Sequence, residues 1–507
     1  MNRPAITPPQ PWTFPTPTTT HFDNGMTVLK FDRPGQHLID ATLVLDLPLH
    51  TEGASIEGVS AILQRCLDEG TRSHPRTDFA EQLENRGAVL NGGVSHSATH
   101  VSLEVPTTRF AEALPLFAEA VLEPTLEAAD VRRHVELRLA EIGQHRAHPT
   151  HRGAEAFRAA VIDDDFRAAR SSGGTAASVR RISTDDVHAH YAAHYGPERA
   201  TLVLAGDFTD DPLPVVRDAF EGWSRTVTTL SSERPLAAPP QVLLIDRPAA
   251  VQADVRLGVF GIDRTDPRWP ALRLGAFVLG GGFLSRLNRV LREERGYTYG
   301  VQLSNTPARH GGLLAMHASF RTEVAAAAIA EARELIRVDG AGALTEAELT
   351  DARNFLVGIM PLRCATAAGV ADQAAALIDV GLDTGFVNRH AAALERRHVV
   401  QLGADAPRVQ HAVAQRLVAR HHDHPQHDHS AAVVPGDRRR QRQQALRLLD
   451  IKHRNDDQVA FARRRLIASG ATRLTHAVSP SLGGAPDKIG GVMAGLRPPQ
   501  APPATLR

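Results

Sequence analysis

The sequence predicts an α+β protein of two homologous α/β domains with mainly antiparallel sheets, and three observations lead there. Short apolar runs rich in β-branched residues come in hairpin-like pairs, whereas a parallel, doubly wound sheet needs a long crossover between successive strands. Strands and amphipathic helices then recur in the same order in a second half. The helical stretch LEAADVRRHVELRLAEI (126–142) is echoed by LTEAELTDARNFLVGIM (344–360), each with a Leu and acidic start followed by an Asp-x-Arg. Between the halves, TVTTLSSERPLAAPPQ (226–241) has no periodicity and reads as a linker.

Each element has a local reason. Residues 1–20, rich in Pro and Thr, read as an extended arm without the apolar core of a secretion signal. NGMTVLKFD (24–32) and IDATLVLDLPL (39–49) alternate apolar and polar side chains as strands do, with Asn24-Gly25 as a turn. EGVSAILQRCLDEGT (57–71) is an amphipathic helix closed by Gly70-Thr71. TDFAEQLENRGAVL (77–90) is a helix capped by Thr77 and stopped by Gly87. A strand, HVSLEVPTTRF, leads into the helix FAEALPLFAEAVL. The long helix from Leu126, the helix ISTDDVHAHYAAHY and the buried strand RATLVLAGDF complete a first domain, 21–225. In the second, 242–430, VLLIDRPA (242–249) and QADVRLGVFG (252–261) read as strands and ALRLGAFVLGGG as a helix. GGLLAMHASF is a further strand and VAAAAIAEARELIRV a helix. Residues 431–507 read as a low-complexity tail. From about Arg389 onward, His, Arg and Gln dominate, a composition that buries too little apolar surface to fold and that also matches GC-rich codons read in a shifted frame.

Composition excludes several function classes. Lys+Arg 57 against Asp+Glu 57 leaves no net field to hold a phosphate backbone, so nucleic acid is not an expected partner. No apolar run reaches membrane-spanning length, and the expected location is the cytoplasm. The two cysteines, Cys66 and Cys364, exclude a disulfide framework and read as small core residues.

The stretch LGGGFLSRLNRVLREERGYTYGV (Leu279–Val301) is the most specific signal. Gly280, Gly281 and Gly282 let a backbone approach closely. Ser285 or Asn288 can satisfy helix-terminal amides, and Arg292 with Tyr299 offers a guanidinium and a phenol to the carbonyls of an extended peptide. A plain Gly-rich turn before an amphipathic helix with solvated charges fits the same composition. His96 and His100 lie four apart on a predicted strand, about 13 Å along it, too far for one tetrahedral ion; they read as surface residues. HHDHPQHDH (421–429) can take up metal opportunistically but lacks the spaced scaffold of a built site.

With NGMTVLKFD, the 57–71 helix, LEAADVRRHVELRLAEI and RATLVLAGDF in their places, the Gly-rich stretch and its Arg/Tyr pair resemble the insulinase/pitrilysin family of zinc peptidases, the inverted zincins, over residues 21 to about 390. The resemblance implies two homologous halves facing each other across a chamber. In active members the first helix carries His-x-x-Glu-His: two imidazoles at i and i+4 hold zinc and the glutamate activates water. Matching Gly58 and Gly70-Thr71 to that motif puts its positions at Ala61, Gln64 and Arg65, none of which can perform the role. The third ligand position keeps a carboxylate, Glu141, expected to pair with Arg65, and a neighbouring family glutamate corresponds to His134. No catalytic or metal residue is therefore expected on this chain.

The resemblance then implies a non-catalytic, substrate-binding subunit of a heterodimeric zinc metallopeptidase. Arg292, Tyr299 and Gly280–Gly282 would grip the peptide substrate, and an active insulinase-like subunit would supply the zinc. Two alternatives stand beside it: a structural or assembly protein like the core subunits of respiratory complexes, and a zinc peptidase active by itself through unusual ligands.

Overall fold

The computed structural model describes residues 11–208, 210–228, 232–338 and 342–396. The chain divides into Met1–Asp437 and Arg438–Arg507, and the second unit lies wholly outside the described residues. The expectations for the tail 431–507 and for the His cluster at 421–429 fall outside them as well.

The first half is built on a six-stranded sheet. Its strands are β1 (Thr18–His21), β2 (Thr27–Asp32), β3 (Leu38–Leu45), β4 (Val89–Val94), β5 (Thr99–Pro106) and β6 (Ala200–Gly206), in the order β1-β2-β6-β3-β5-β4. All neighbours are antiparallel except β2 and β6, which run parallel from Thr27↔Thr201 to Asp32↔Gly206. Around it lie α1 (Val59–Cys66), α2 (Arg76–Glu84), α3 (Phe110–Leu122), α4 (Ala128–Ala147), α5 (Pro149–Val161), α6 (Ala176–Val179), α7 (Thr184–His194) and α8 (Leu213–Phe220). One sheet face and these helices share a core containing Val28, Leu43, Leu103, Ile62, Leu63, Phe117 and Phe220.

The second half has three antiparallel strands, β7 (Gln252–Gly261), β8 (Val301–Pro307) and β9 (Gly312–Arg321), ordered β7-β9-β8. Its helices are α9 (Trp269–Ala276), α10 (Ala325–Leu335), α11 (Glu346–Gly358), α12 (Met360–Arg363), α13 (Ala367–Ile378) and α14 (Phe386–Glu395), with π-helical segments at Phe277–Gly281 and Asn288–Glu294. The antiparallel α+β class is thus observed in both halves.

The halves share more than a linker. Helix α13 lays Ala367, Val370, Ala371, Ala374 and Leu377 on the outer face of the first sheet, against Phe31, Val203 and Ala205. Along β6, Leu202 and Leu204 enter one core while Val203 and Ala205 enter the other. This two-sided burial is why ATLVLAG reads as a continuous apolar run rather than an alternating one. Small alanines on α13 let the helix seat closely on the strands. Arg309 reinforces the contact by pairing with Asp46 at 2.6 Å and donating to the Asp379 carbonyl at 2.9 Å.

Several expectations are corrected. The arm, expected as an extended segment, is docked over residues 11–20: Phe14 is buried, exchanges two backbone hydrogen bonds with the Asn388 amide at 2.7 and 3.1 Å, and leads into β1. VLLIDRPA forms no strand and leaves Val242, Leu243, Leu244 and Ile245 exposed. Its counterpart in the first half, β2, is held by β1 on one side and β6 on the other; among the described residues the second half has no equivalent of either. Helix α2 begins at Arg76 after Pro75 without a side-chain cap, so Thr77 lies inside its first turn. His96 sits in the β4–β5 turn rather than on a strand with His100. Strands β1, β4 and β8 and helices α5, α6, α8, α12, α13 and α14 went unread from the sequence. VLNGGV, for instance, is a strand whose two glycines hide any alternation. Among the described residues no single helix is long and apolar enough to cross a membrane.

Candidate functional site

The first helix is fixed at its N-terminus before its side chains are considered. Gly58 holds φ at +101°, and a Cβ there would stand 2.8 Å from the Gly173 carbonyl oxygen, so only glycine serves. Glu52 accepts the Ser60 amide at 3.0 Å and, with its side chain fully buried, the Arg167 guanidinium at 2.8 and 3.0 Å. Arg170 closes a second pair on Glu57 at 2.7 Å. On the next turn the Ser60 hydroxyl meets His190 at 3.0 Å, and burial pulls that imidazole down to about 3.

The three motif positions then fall along α1. Ala61 offers no donor. The Gln64 amide rests over Gly92 of β4, where any β-carbon would collide with it. Arg65 lies bidentate on Glu141, Nη1 to Oε1 at 2.8 Å and Nη2 to Oε2 at 3.0 Å, and Arg138 adds a third donor to Oε2 at 3.0 Å. Burial works to raise the Glu141 carboxyl, but the hydrogen bonds from Arg65 and Arg138 outweigh it and hold the group below the usual carboxylate range. His134, one face-repeat earlier on α4, meets Glu69 at 2.8 Å, and Arg133 and Arg76 complete that carboxylate's shell at 2.6 and 2.8 Å.

Zinc does not fit this constellation. The helix supplies no imidazole, the one retained carboxylate is occupied by two guanidiniums, and a fixed cation stands beside it. Among the described residues the only convergent group of ligand-type atoms is Asp163, Asp164 and Asp165, on a partly exposed turn. His96 and His100 do not converge. His96 is tucked against the Arg170 carbonyl at 2.9 Å, with burial lowering it to about 4, and His100 faces Asp379 at 3.8 Å. The surface reading of His96 is therefore wrong, because the β4–β5 turn folds it inward.

The Gly-rich segment separates into structural and open parts. Gly280 is buried, and a Cβ there would press on Leu303 and Leu287, so close helix–strand packing accounts for that glycine. Gly281 and Gly282 pass around the Phe277 ring, and Gly281 is exposed. Asn288 spends its amide mainly on strand β8: Oδ1 accepts the Val301 amide at 2.8 Å and Nδ2 donates to the Val301 carbonyl at 2.9 Å, and Nδ2 also reaches the Gly282 carbonyl, at the end of the first π-helical segment, and the Ser285 hydroxyl, both at 3.1 Å. Arg286 grips Glu348 through two contacts of 2.6 Å, which hold that carboxyl down to about 2, and reaches the carbonyls of Gly342 and Ala343. Arg292 lies 4.1 Å over the Phe283 ring, and Tyr299 is 96% exposed; no hydrogen bond joins the two. Phe283 and Leu284 are exposed beside them in sequence. The sequence reading missed Glu52, Glu69, Arg138 and Arg167, whose partners lie far away along the chain and leave no local signal.

Known proteins align with this arrangement. Residues 30–167 match the family described as Insulinase (Peptidase family M16), and residues 181–356 match the Peptidase M16 inactive domain. An uncharacterized zinc protease of Mycobacterium tuberculosis is 27% identical over 366 residues, 70% of this chain and 82% of that protein. A non-peptidase homolog from Helicobacter pylori is 24% identical over 310 residues, 60% of this chain and 71% of its own length. The crystal structure of a peptidase M16 inactive domain from Pseudomonas fluorescens superposes with a TM-score of 0.71 at 25% identity, covering 77% of this chain and 93% of that one.

Proposed function

Because the chain belongs to the insulinase family of peptidases, family M16, as a homologue without the His-x-x-Glu-His motif, we propose that it is the substrate-binding subunit of a two-chain peptidase. An active homologue contributes the zinc and the base. The observation that carries this reading is the Arg65–Glu141 pair, in which a guanidinium takes up the last carboxylate of the ligand set.

What remains on this chain is suited to holding peptide. Tyr299 and the Phe283–Leu284 pair stand in solvent on the Gly-rich segment, and Arg292 is kept in place by Phe283 rather than consumed by a strong ion pair. Beside α1, strand β4 forms one edge of the first sheet, with Val89, Asn91 and Gly92 exposed. Such an edge accepts an extended peptide through main-chain hydrogen bonds, with side-chain groups adding selectivity. Binding energy from groups remote from the scissile bond orients it at the partner's metal and so supports turnover there.

The test pairs the full-length chain with a homologue that keeps His-x-x-Glu-His. The chain alone should leave fluorogenic peptides intact, and the mixture should cleave them. Arg292→Ala with Tyr299→Phe should lower kcat/KM of the mixture at least tenfold. Chelator-sensitive cleavage by the isolated chain would overturn the proposal, as would unchanged turnover after both substitutions.

A further inference from the structure

We propose that Arg264, Arg273, Arg363 and His390 form a binding site for a doubly charged oxyanion of the phosphate type, either inorganic phosphate or a phosphate monoester. The inference stands apart from the subunit's role and rests on a seam in the second half where cations gather without carboxylates to pair them.

The packing of α14 creates the seam. Val387 belongs to the core that α13 shares with the outer face of the first sheet, whereas Leu394 belongs to a core with Ala271 and Leu274 of α9. His390 follows Val387 by three residues and precedes Leu394 by four, so all three share one face of the helix. Its imidazole therefore lies between the two cores, half-buried, with its ring stacked on Phe386 at 5.4 Å. Arg273 stands on α9 between Leu272 and Leu274, Arg264 on the connection from β7 to α9, and Arg363 at the end of α12. Arg264 and Arg273 are half-buried, and Arg363 is exposed at the rim.

These groups act on one another as neighbouring cations. Burial, and after it Arg273 and Arg264, pull the His390 imidazole down to about 4. Burial also lowers Arg264 and Arg273 from the usual guanidinium range, with Arg273 adding to the effect on Arg264 and Arg363 to the effect on Arg273. Among the described residues none of these four side chains makes a hydrogen bond or an ion pair.

The acids nearest along the chain are engaged elsewhere. Asp263 accepts the Thr265 amide at 2.8 Å, Asp266 holds Arg268 at 2.6 and 2.9 Å, and Asp383 holds Arg389 at 2.7 Å. Asp379 bears on Arg264, but its carboxylate already accepts the Ser95 hydroxyl at 2.7 Å. Three guanidiniums against that one carboxylate leave an excess of two positive charges. Withdrawing cations from water without a partner is unfavourable, and a dianion offsets this excess in full where a single carboxylate would offset half. Guanidinium forks from separate elements also suit the tetrahedral oxygens of phosphate, and the neutral His390 ring adds an N–H.

Calorimetric titration of the full-length chain with sodium phosphate tests this, at fixed ionic strength and about pH 8, where the second phosphate proton is lost. A saturable one-to-one site is expected, weakened at least tenfold by Arg264→Gln with Arg273→Gln and unchanged by Arg132→Gln at an exposed arginine. The His390 ring resonances should move with phosphate in the unaltered chain and stay still in the double variant. Without phosphate that variant should unfold at an equal or higher urea concentration, because it removes unpaired charge; a lower midpoint would overturn the proposal. A parallel titration with O-phosphoserine separates the two sources: tighter binding of the monoester assigns a phosphorylated ligand, and tighter binding of phosphate assigns the free ion. No saturable binding, binding that survives both substitutions, or acetate bound as tightly as phosphate would also overturn it.

Discussion

Replacing Glu52 with alanine should destabilise the first half by about 4 kcal/mol, a value that follows from what its carboxylate holds. The Arg167 guanidinium, 4% exposed, would lose the carboxylate contacts at 2.8 and 3.0 Å and keep the carbonyls of Arg170, Ser171 and Ser172 and a Glu57 oxygen 3.9 Å away. Removing one member of a buried ion pair costs 3–5 kcal/mol, and these residual partners place the cost at the lower end, about 3 kcal/mol. The freed Ser60 amide at the start of α1 adds about 1 kcal/mol, as for a lost helix cap. With a urea slope of about 2–3 kcal/mol/M, the midpoint should fall by roughly 1.5 M. Trp223, buried in the first core, reports this transition by fluorescence once Trp12 and Trp269 are changed to phenylalanine. Glu52→Gln keeps an acceptor for Ser60 and should cost about half as much. A loss below about 1 kcal/mol for Glu52→Ala would refute the reasoning, since it would place this ion pair with solvent-exposed ones.

Three further outcomes follow. Installing Ala61→His, Gln64→Glu and Arg65→His together, in a chain whose 421–429 histidines are replaced by serine, should yield a near-stoichiometric zinc site that Glu141→Ala abolishes; metal analysis of the purified protein decides it, and no uptake would show that more than the side chains has diverged. The Glu348 carboxyl is held at about 2 by Arg286, below its ordinary 4.5. It therefore contributes stability that is fully present above pH 4.5 and is lost as the pH falls towards 2, so Arg286→Ala should flatten the acid dependence of amide exchange across 342–348 in that window. Asn288→Ala leaves both polar groups of Val301 without partners in a buried place and should cost about 2–3 kcal/mol in thermal or urea unfolding, whereas Arg389→Ala, at an exposed pair with Asp383, should cost under about 0.5 kcal/mol.

Much of this was legible along the chain because it is local. Periodicity marked β2, β3, β5 and β6 and the long helices, and matching Gly58 and Gly70-Thr71 to the resembled family's motif put its positions at Ala61, Gln64 and Arg65 without coordinates. The Arg65–Glu141 pair was also anticipated, since two opposite charges at ligand positions of one site have nowhere else to go. What escaped were features whose partners are distant. VLLIDRPA has every mark of a strand and yet forms none, because a strand is stabilised by its neighbours and the described second sheet offers none beside it. The buried Glu52–Arg167 pair joins residues 115 apart, with no pattern at either end.

The order of residues alone determined that α1 lacks the His-x-x-Glu-His side chains: ligand atoms are a property of side-chain chemistry, and neither alanine nor arginine acquires one by folding. Tertiary structure alone decided which glycines serve packing, how α13 closes the outer face of the first sheet, and that Arg292 lies on Phe283 while Tyr299 faces water. Those outcomes depend on which surfaces meet, and contacts between distant segments are set by the balance of burial and hydrogen bonding over the whole fold rather than by any one stretch of it.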